Sequence, residues 1–516
     1  MWVPIILAAL SGALLTAAFP KPDLGWVAWV ALVPLLWAVR GKGLREAFRL
    51  GWLCGLVHYA TALAWIRYVV GHYGGLALPL ALAVLLLLAA YLAVYPAVFA
   101  LLAARWEGRP WLRVWGLPAA WVALELIRAH ALSGFPWANL GYTQTEFTRL
   151  MQTADIAGVS WAGFLVVLGN TSLLALLAPG RARLSILGFA ALLGLSVLYG
   201  GSRMGEIAAL QEKAAPFTVA VAQGNVEQAR KWDPAFQKET LERYRRLTLE
   251  AAAKHPRPDL VVWPETAVPF FFGLDHDLSA EVRAIVREGG VPVLFGSPAV
   301  ELVEGRPRFL NRAYLLDGAG KTLAKYDKQH LVPFGEYVPF PRVLFFVRRL
   351  VEAAGDFAAG KDWRPLTLGD QRLGVLICYE AIFPELSRRT TRKGATLLVN
   401  ITNDAWFGPS AAPYQHLQMA RWRAVESRAP LVRAANTGIS AVFDARGLPC
   451  VSLPLDTLGT ASCTIRPLAV KTLYERLSEW FALTCMGATL ASIIFTILVP
   501  AARRPGDEAP PQRSTS

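Results

Sequence analysis

Charged side chains are scarce in this sequence: Asp, Glu, Lys and Arg supply 17% of its 516 residues, against 54% hydrophobic. Together these values exclude an ordinary soluble protein of this length and send much of the chain into lipid. Metal-type cysteine spacing is missing too. The five cysteines, Cys54, Cys378, Cys450, Cys463 and Cys485, form no Cys-x-x-Cys, and no His-x-His accompanies them. Neither a zinc site nor a dithiol redox centre is therefore indicated, and no metal or cofactor is expected. There is no internal repeat and no glycine-rich phosphate loop. The net charge of +14 is not laid out for nucleic acid, because the positive residues cluster between apolar runs instead of along one face or arm. No basic residue precedes the first apolar run, 3–19, which favours a retained membrane helix over a cleaved signal peptide.

What is present is a series of apolar runs: 3–19, 24–39, 50–70, 76–104, 111–127, 156–177, 184–199 and, after a long gap, 480–499. A hydrocarbon core of ~30 Å needs about 20 helical residues, so with their flanks these runs predict a polytopic helical membrane domain of about eight spans, seven in 1–205 and one in 477–501. Arg40, Lys42, Arg45 and Arg49, then Arg105, Arg109 and Arg113, then Arg181 and Arg183, then Arg503 and Arg504 fill alternate connections. By the positive-inside rule these connections and both termini face the cytoplasm. The region between the seventh and eighth spans then lies on the periplasmic side of a bacterial inner membrane. Glu125 and Arg128, one turn apart near the outer end of the fifth run, read as a snorkelling interfacial pair, with a functional pair as the alternative. The stretch 133–142, with Phe135, Trp137 and Tyr142, reads as an aromatic anchor at the outer interface or as an arm touching substrate. The tail 502–516 is expected to be disordered.

Residues 216–467 make a separate domain, long enough for one globular core. Short β-rich runs at 217–222, 260–263, 291–296, 313–316, 373–377, 397–401 and 439–443 alternate with helical stretches such as 235–254 and 279–287. That pattern predicts an α/β domain whose sheets are covered by helices. Three stretches carry chemistry. Val-Val-Trp-Pro-Glu-Thr-Ala at 261–267 delivers Glu265 straight after a buried strand, and Tyr-Asp-Lys-Gln-His-Leu-Val-Pro-Phe-Gly-Glu-Tyr at 326–337 offers Lys328 and Glu336 on a Pro/Gly-rich loop. Leu-Gly-Val-Leu-Ile-Cys-Tyr-Glu at 373–380 ends an apolar strand at Cys378. A thiol at a strand end, ahead of a helix opened by Pro384, is presented to substrate with backbone N–H groups beside it. Acyl transfer needs a base, a cation and a nucleophile: Glu265 takes the thiol proton, Lys328 and the Tyr379 N–H hold the oxyanion, and Cys378 carries the acyl group.

These motifs, in this order, resemble the nitrilase, or carbon-nitrogen hydrolase, superfamily, whose Glu-Lys-Cys triad sits on an αββα sandwich. With membrane spans on both sides, the whole chain is similar to the lipoprotein-acylating membrane branch of that superfamily. The resemblance implies Glu265 as general base, Lys328 as oxyanion-stabilising lysine, Cys378 as nucleophile and Glu336 as an orienting carboxylate. It also implies functional roles for Tyr379 and Glu380, and aromatic loop residues Trp137, Trp232 and Trp406 that bind or gate substrate. The implied reaction is ping-pong: Cys378 takes an acyl chain from a phospholipid, typically phosphatidylethanolamine, and passes it to the α-amino group of the S-diacylglyceryl cysteine of an apolipoprotein. A dry, lipid-fed pocket suits a thioester that must escape water. The alternative is a membrane-tethered amidase or nitrilase with water as acceptor. A transporter or scaffold would need charges inside the spans, which beyond Glu125 and Arg128 are few. Phe270, Phe271, Phe272, Phe345 and Phe346 are candidates for gating acyl chains, with core packing the simpler reading. Trp232, in a polar stretch, suits a mobile lid or a surface anchor. Cys450 and Cys463 could face each other in an oxidising compartment, while Cys54 and Cys485 read as packing residues in membrane segments.

Overall fold

A computed structural model describes residues 2–176, 182–303, 306–337 and 357–499. Arg181, Phe345, Phe346, Arg503, Arg504 and the tail 502–516 lie outside these residues. Among the described residues, twelve strands form two six-stranded sheets. The first contains β1 (Phe217–Gln223), β2 (Leu260–Val262), β3 (Val293–Val303), β4 (Arg306–Leu316), β5 (Thr322–Asp327) and β12 (Gly459–Ile465), in the order β12-β1-β2-β3-β4-β5. The second contains β6 (Leu366–Leu368), β7 (Gln371–Ile377), β8 (Leu397–Thr402), β9 (Leu431–Ala435), β10 (Ser440–Phe443) and β11 (Pro449–Leu453), in the order β11-β10-β9-β8-β7-β6.

The two-residue period of a strand sorts its side chains between two cores. Val219, Val221, Leu260, Val262 and Leu294 meet Leu373, Val375, Ile377, Leu397 and Val399 between the sheets. Ala220, Ala222, Val261 and Val293 face outward, under the helices Pro234–Ala252 and His276–Gly289. Asp233 caps the first helix by accepting from Ala235 N, ahead of Pro234, and Asp275 caps the second by accepting from Leu278 N. Leu386, in the helix Pro384–Arg392, meets Leu376, and Ala420 and Ala424, in the helix Ala412–Ser427, meet Leu398 and Leu431. Helix, sheet, sheet, helix is the expected αββα order. Both sheets are covered on both faces, which is why their central strands are buried along their length and mostly apolar.

Four helices are long and apolar enough to cross a membrane among the described residues: Leu78–Arg105, Val159–Leu176, Arg183–Lys213 and Trp480–Leu498. The pair Leu44–Ala62 and Trp65–Tyr73, bent by 51°, makes a fifth if it counts as one span. Hydropathy led to an expectation of about eight. The difference lies in interrupted runs: 24–39 is split into short pieces up to Ala38, Trp2–Ala17 has 16 residues, and Leu117–His130 has 14 and carries Glu125 and Arg128.

Two expectations are corrected by packing, and the choice left open for the phenylalanines is decided. Arg128 does not snorkel; it is 1% exposed, lies 3.9 Å from Glu125, and donates to Trp137 O at 2.6 Å and Asn139 Oδ1 at 2.7 Å. Glu125 accepts from Leu140 N and Trp121 Nε1. The pair thus fastens the 133–142 stretch inside the protein, and Trp137, 1% exposed, is no interface anchor. Phe270 and Phe272 pack in the outer core with Phe295, the core-packing alternative, while Phe271 is half-buried near Phe309. Cys450 and Cys463 are joined, tying β11 in one sheet to β12 in the other.

Candidate active site

Parallel strands β2 and β7 each end in a turn that carries a reactive side chain. After β2, Trp263 is buried against Tyr244 and Phe295, and Pro264 turns the chain so that Glu265 stands at the strand end, 6% exposed. Thr266 adopts φ 52°. This turn rests on Gly296 of β3, where a Cβ would come within 2.6 Å of Thr266 N and 2.8 Å of the Glu265 Cα, so only glycine admits the close approach. After β7, Cys378 opens the short 3-10 turn Cys378–Ile382 with φ 53°. That left-handed conformation is costly for a residue with a Cβ and persists only where its surroundings hold it.

Lys328 follows β5 and is 1% exposed. Its Nζ donates to Glu336 Oε1 at 2.9 Å and lies 3.6 Å from Glu265 Oε1. Asn311 Nδ2 donates to both carboxylates, at 2.8 Å to Glu265 and 3.0 Å to Glu336, and Asn403 N donates to Glu265 Oε2 at 2.9 Å. Glu265 therefore has both oxygens fixed. Burial would strip the Lys328 proton, but the Glu336 and then the Glu265 carboxylate hold its pKa above the ordinary lysine value. The Cys378 thiol feels the same charges. Burial, then the Glu265 carboxylate, push its pKa well above a free thiol, with Lys328 opposing, so the resting sulfur is protonated.

The structure brings Glu265, Lys328, Glu336 and Cys378 into one electrostatic unit. Glu380 lies just behind Cys378 with no exposed surface; it accepts from Ile377 N, Gln329 N, His330 N and the Tyr326 hydroxyl. One carboxylate thus ties the Cys378 turn to the Lys328 loop. Burial lifts its pKa to about 7, against those backbone donors and Lys328. Tyr379 packs against His330 and Phe383. The three tryptophans divide: Trp406 is half-buried beside Tyr73 at 4.8 Å, Trp232 is 49% exposed at the end of the turn Gln228–Lys231, and Trp137 is covered by Trp65, Phe135 and Phe407 and donates to Gln415 Oε1.

Two family models cover most of the chain. Residues 11–172 match the apolipoprotein N-acyltransferase N-terminal domain and residues 218–473 match carbon-nitrogen hydrolase. An apolipoprotein N-acyltransferase of Geobacter metallireducens is 44% identical over 95% of this chain and 95% of its own length. The chain belongs to the apolipoprotein N-acyltransferase family. A second such protein, from Brucella suis, is 33% identical over 96% of each chain. Among solved structures, an amidase from Nesterenkonia sp. aligns with 52% of this chain and 95% of its own at 21% identity, with a TM-score of 0.38.

Several groups around Glu265 and Cys378 carry no signal in the sequence. Lys231 is 2% exposed and donates to Glu265 O at 3.1 Å; burial pulls its pKa down to about 8 against the Glu265 carboxylate. Its neighbour Trp232 drew notice as an aromatic, although the lysine is the buried one. Asn311 and Asn403 lie in β4 and just after β8, where an uncharged amide gives no compositional signal. A polar cluster of Thr402, Asp404, His416 and Arg433 sits behind Cys378, each residue no more than 1% exposed.

Proposed function

We propose that the chain transfers an acyl group from a phospholipid to the α-amino group of a diacylglyceryl-cysteine apolipoprotein through a thioester on Cys378. The arrangement that carries the reading is a thiol placed directly after a buried strand, in one site with a fixed carboxylate and a fixed ammonium that lie 3.6 Å apart. Membrane helices border the same site: Tyr73 Oη donates to Ala405 O at 2.9 Å, in the loop that carries Trp406. Glu265 removes the thiol proton as Cys378 Sγ attacks the donor ester carbonyl; Lys328 and the Tyr379 N–H stabilise the oxyanion. Collapse releases a lysophospholipid whose alkoxide takes the proton back from Glu265. In the second half, the neutral α-amine attacks the thioester, Glu265 accepts its proton, and the departing Cys378 sulfur receives it. Glu336 holds Lys328 in place, and Glu380 holds the two loops in register. Trp232 and Trp406 are assigned to substrate binding or gating through the family resemblance of their loops.

The domain 216–467 faces the periplasm with both termini cytoplasmic, a placement supported by the alternating positive connections and by the Cys450–Cys463 disulfide, which needs an oxidising compartment. The deciding experiment mixes the full-length protein in detergent with phosphatidylethanolamine and a diacylated lipopeptide. Transfer requires the peptide to gain the mass of one acyl chain and Cys378→Ala to abolish that gain. Release of free fatty acid with an unmodified peptide would instead identify a hydrolase.

A further inference from the structure

The nucleophile's backbone is held from behind by a residue that the reaction scheme leaves unused. The carbonyl of Cys378 faces His416 Nε2 at 3.1 Å, with Asn400 Nδ2 farther off at 3.5 Å. His416 belongs to the helix Ala412–Ser427 and is 1% exposed; its other nitrogen, Nδ1, lies 3.2 Å from Arg433 Nη2 and 3.1 Å from Asp404 Oδ1. Arg433 Nη2 also donates to Asp404 Oδ2 at 2.6 Å, and the Thr402 hydroxyl donates to Asp404 Oδ1 at 2.9 Å. Asp404 itself nests against Gly438, where any Cβ would lie within 2.3 Å of Oδ2.

The chemistry of these partners assigns the tautomer. A carbonyl oxygen only accepts and a guanidinium only donates. Burial, and then the Arg433 charge, hold His416 neutral. A ring proton on Nε2 serves the Cys378 carbonyl, which can only accept, and leaves Nδ1 to accept from Arg433, with Asp404 Oδ1 at 3.1 Å as the competing partner of Nδ1. Arg433 and Thr402 each donate to Asp404, which fixes the carboxylate beside the ring.

We propose that His416 is a positioning residue for Cys378: its Nε2–H grips the Cys378 carbonyl and thereby holds the left-handed backbone that aims the sulfur and the Tyr379 N–H at the substrate. This rests on the reading of Cys378 as the nucleophile. It makes the helix Ala412–Ser427 a brace for the reaction as well as a cover for the second sheet. The same helix turn carries Gln415, which receives the Trp137 N–H. The brace is therefore continuous with the membrane-domain stretch fixed by Glu125 and Arg128.

The test uses full-length protein in detergent and iodoacetamide, with the adduct on Cys378 followed by intact mass, so that neither lipid nor acceptor is needed. Among the free cysteines, Cys54 and Cys485 are buried, and Cys378 is partly exposed. H416Q places an amide donor where Nε2 stood and should alkylate within about threefold of wild type; H416M fills the space without a donor and should be slower by about tenfold or more. Acylation by phosphatidylethanolamine should fall in parallel. Equal rates in the two variants, or a wild-type rate in H416M, would overturn the proposal. If H416M fails to fold, the imidazole 15N shifts of the wild type decide, with H416Q giving the assignment: a protonated Nε2 and a bare Nδ1 support the brace, and the reverse tautomer refutes it. A protein that follows the alkylation pattern yet acylates no lipopeptide would sink the acyltransferase reading and leave the brace standing.

Discussion

Replacing Lys328 by methionine tests the centre of the site. Its Nζ stands 2.9 Å from Glu336 and 3.6 Å from Glu265, and Asn311 bridges the two carboxylates. Without the ammonium, two buried anions share one amide. Unit charges ~4 Å apart repel by about 4 kcal/mol at an effective dielectric of ~20, enough for the pair to keep a proton. The general base is then compromised before reaction begins. The oxyanion also loses a fixed donor, which alone costs ~2.7 to 4 kcal/mol, or two to three orders of magnitude in rate. The two losses overlap, so acyl-enzyme formation in K328M is expected to fall by at least about a hundredfold. Because the proton retained by the carboxylate pair must leave before Glu265 can act, the residual rate should climb with pH more steeply than in wild type. Time courses of intact mass after mixing with phosphatidylethanolamine, between about pH 6 and 9, measure both quantities, and melting temperature reports folding. A folded K328M that acylates within about tenfold of wild type, with an unchanged pH profile, would refute the assignment.

Three further outcomes are expected. Glu426 is 2% exposed beside Arg423, and burial lifts its pKa to about 7 from 4.5. The folded chain then binds its proton more tightly than the unfolded chain, so stability should decline as pH rises through that interval; in E426Q the melting temperature should depend less on pH. The Cys450–Cys463 link closes a loop with a sequence separation of 13. The double serine variant should lose about 3 kcal/mol of stability, seen as a lower denaturation midpoint, with little change in turnover. R128M leaves Glu125 buried without its counter-charge and frees the Trp137 carbonyl; about 3 to 5 kcal/mol of stability should go, and R128M should melt well below wild type.

The strands that ended in chemistry were also the easiest to read. β1, β2, β7 and β8 are covered on both faces, so their apolar runs stand out, and Glu265 and Cys378 mark where those runs stop. β5, β6, β9, β11 and β12 were missed for physical reasons. β9 is fully buried but carries Arg433, whose charge is neutralised by Asp404, a partner 29 residues away. β12 mixes Gly, Thr, Ser and Cys at a sheet edge, where alternation is weak. The site's supporting groups had the same difficulty: His416 and Asn311 acquire meaning only when a distant chain segment supplies the atom they bond. In the membrane region hydropathy shows apolar stretches but not the breaks within them: the run 50–70 is apolar across the 51° bend between Ala62 and Trp65.

β1 and β12 run antiparallel side by side, with Phe217 opposite Ile465. The polypeptide therefore departs from the long helix Ala182–Lys213 and comes back toward Trp480–Leu498 through neighbouring points, and that last helix settles against Ala119 and Val122 among the earlier ones. A body whose two ends lie so close can be spliced into a single connection of a helical bundle without prying the bundle apart. The two-sheet module is in this sense held at one seam, and its paired terminal strands hand the position of that seam directly to the helices on either side.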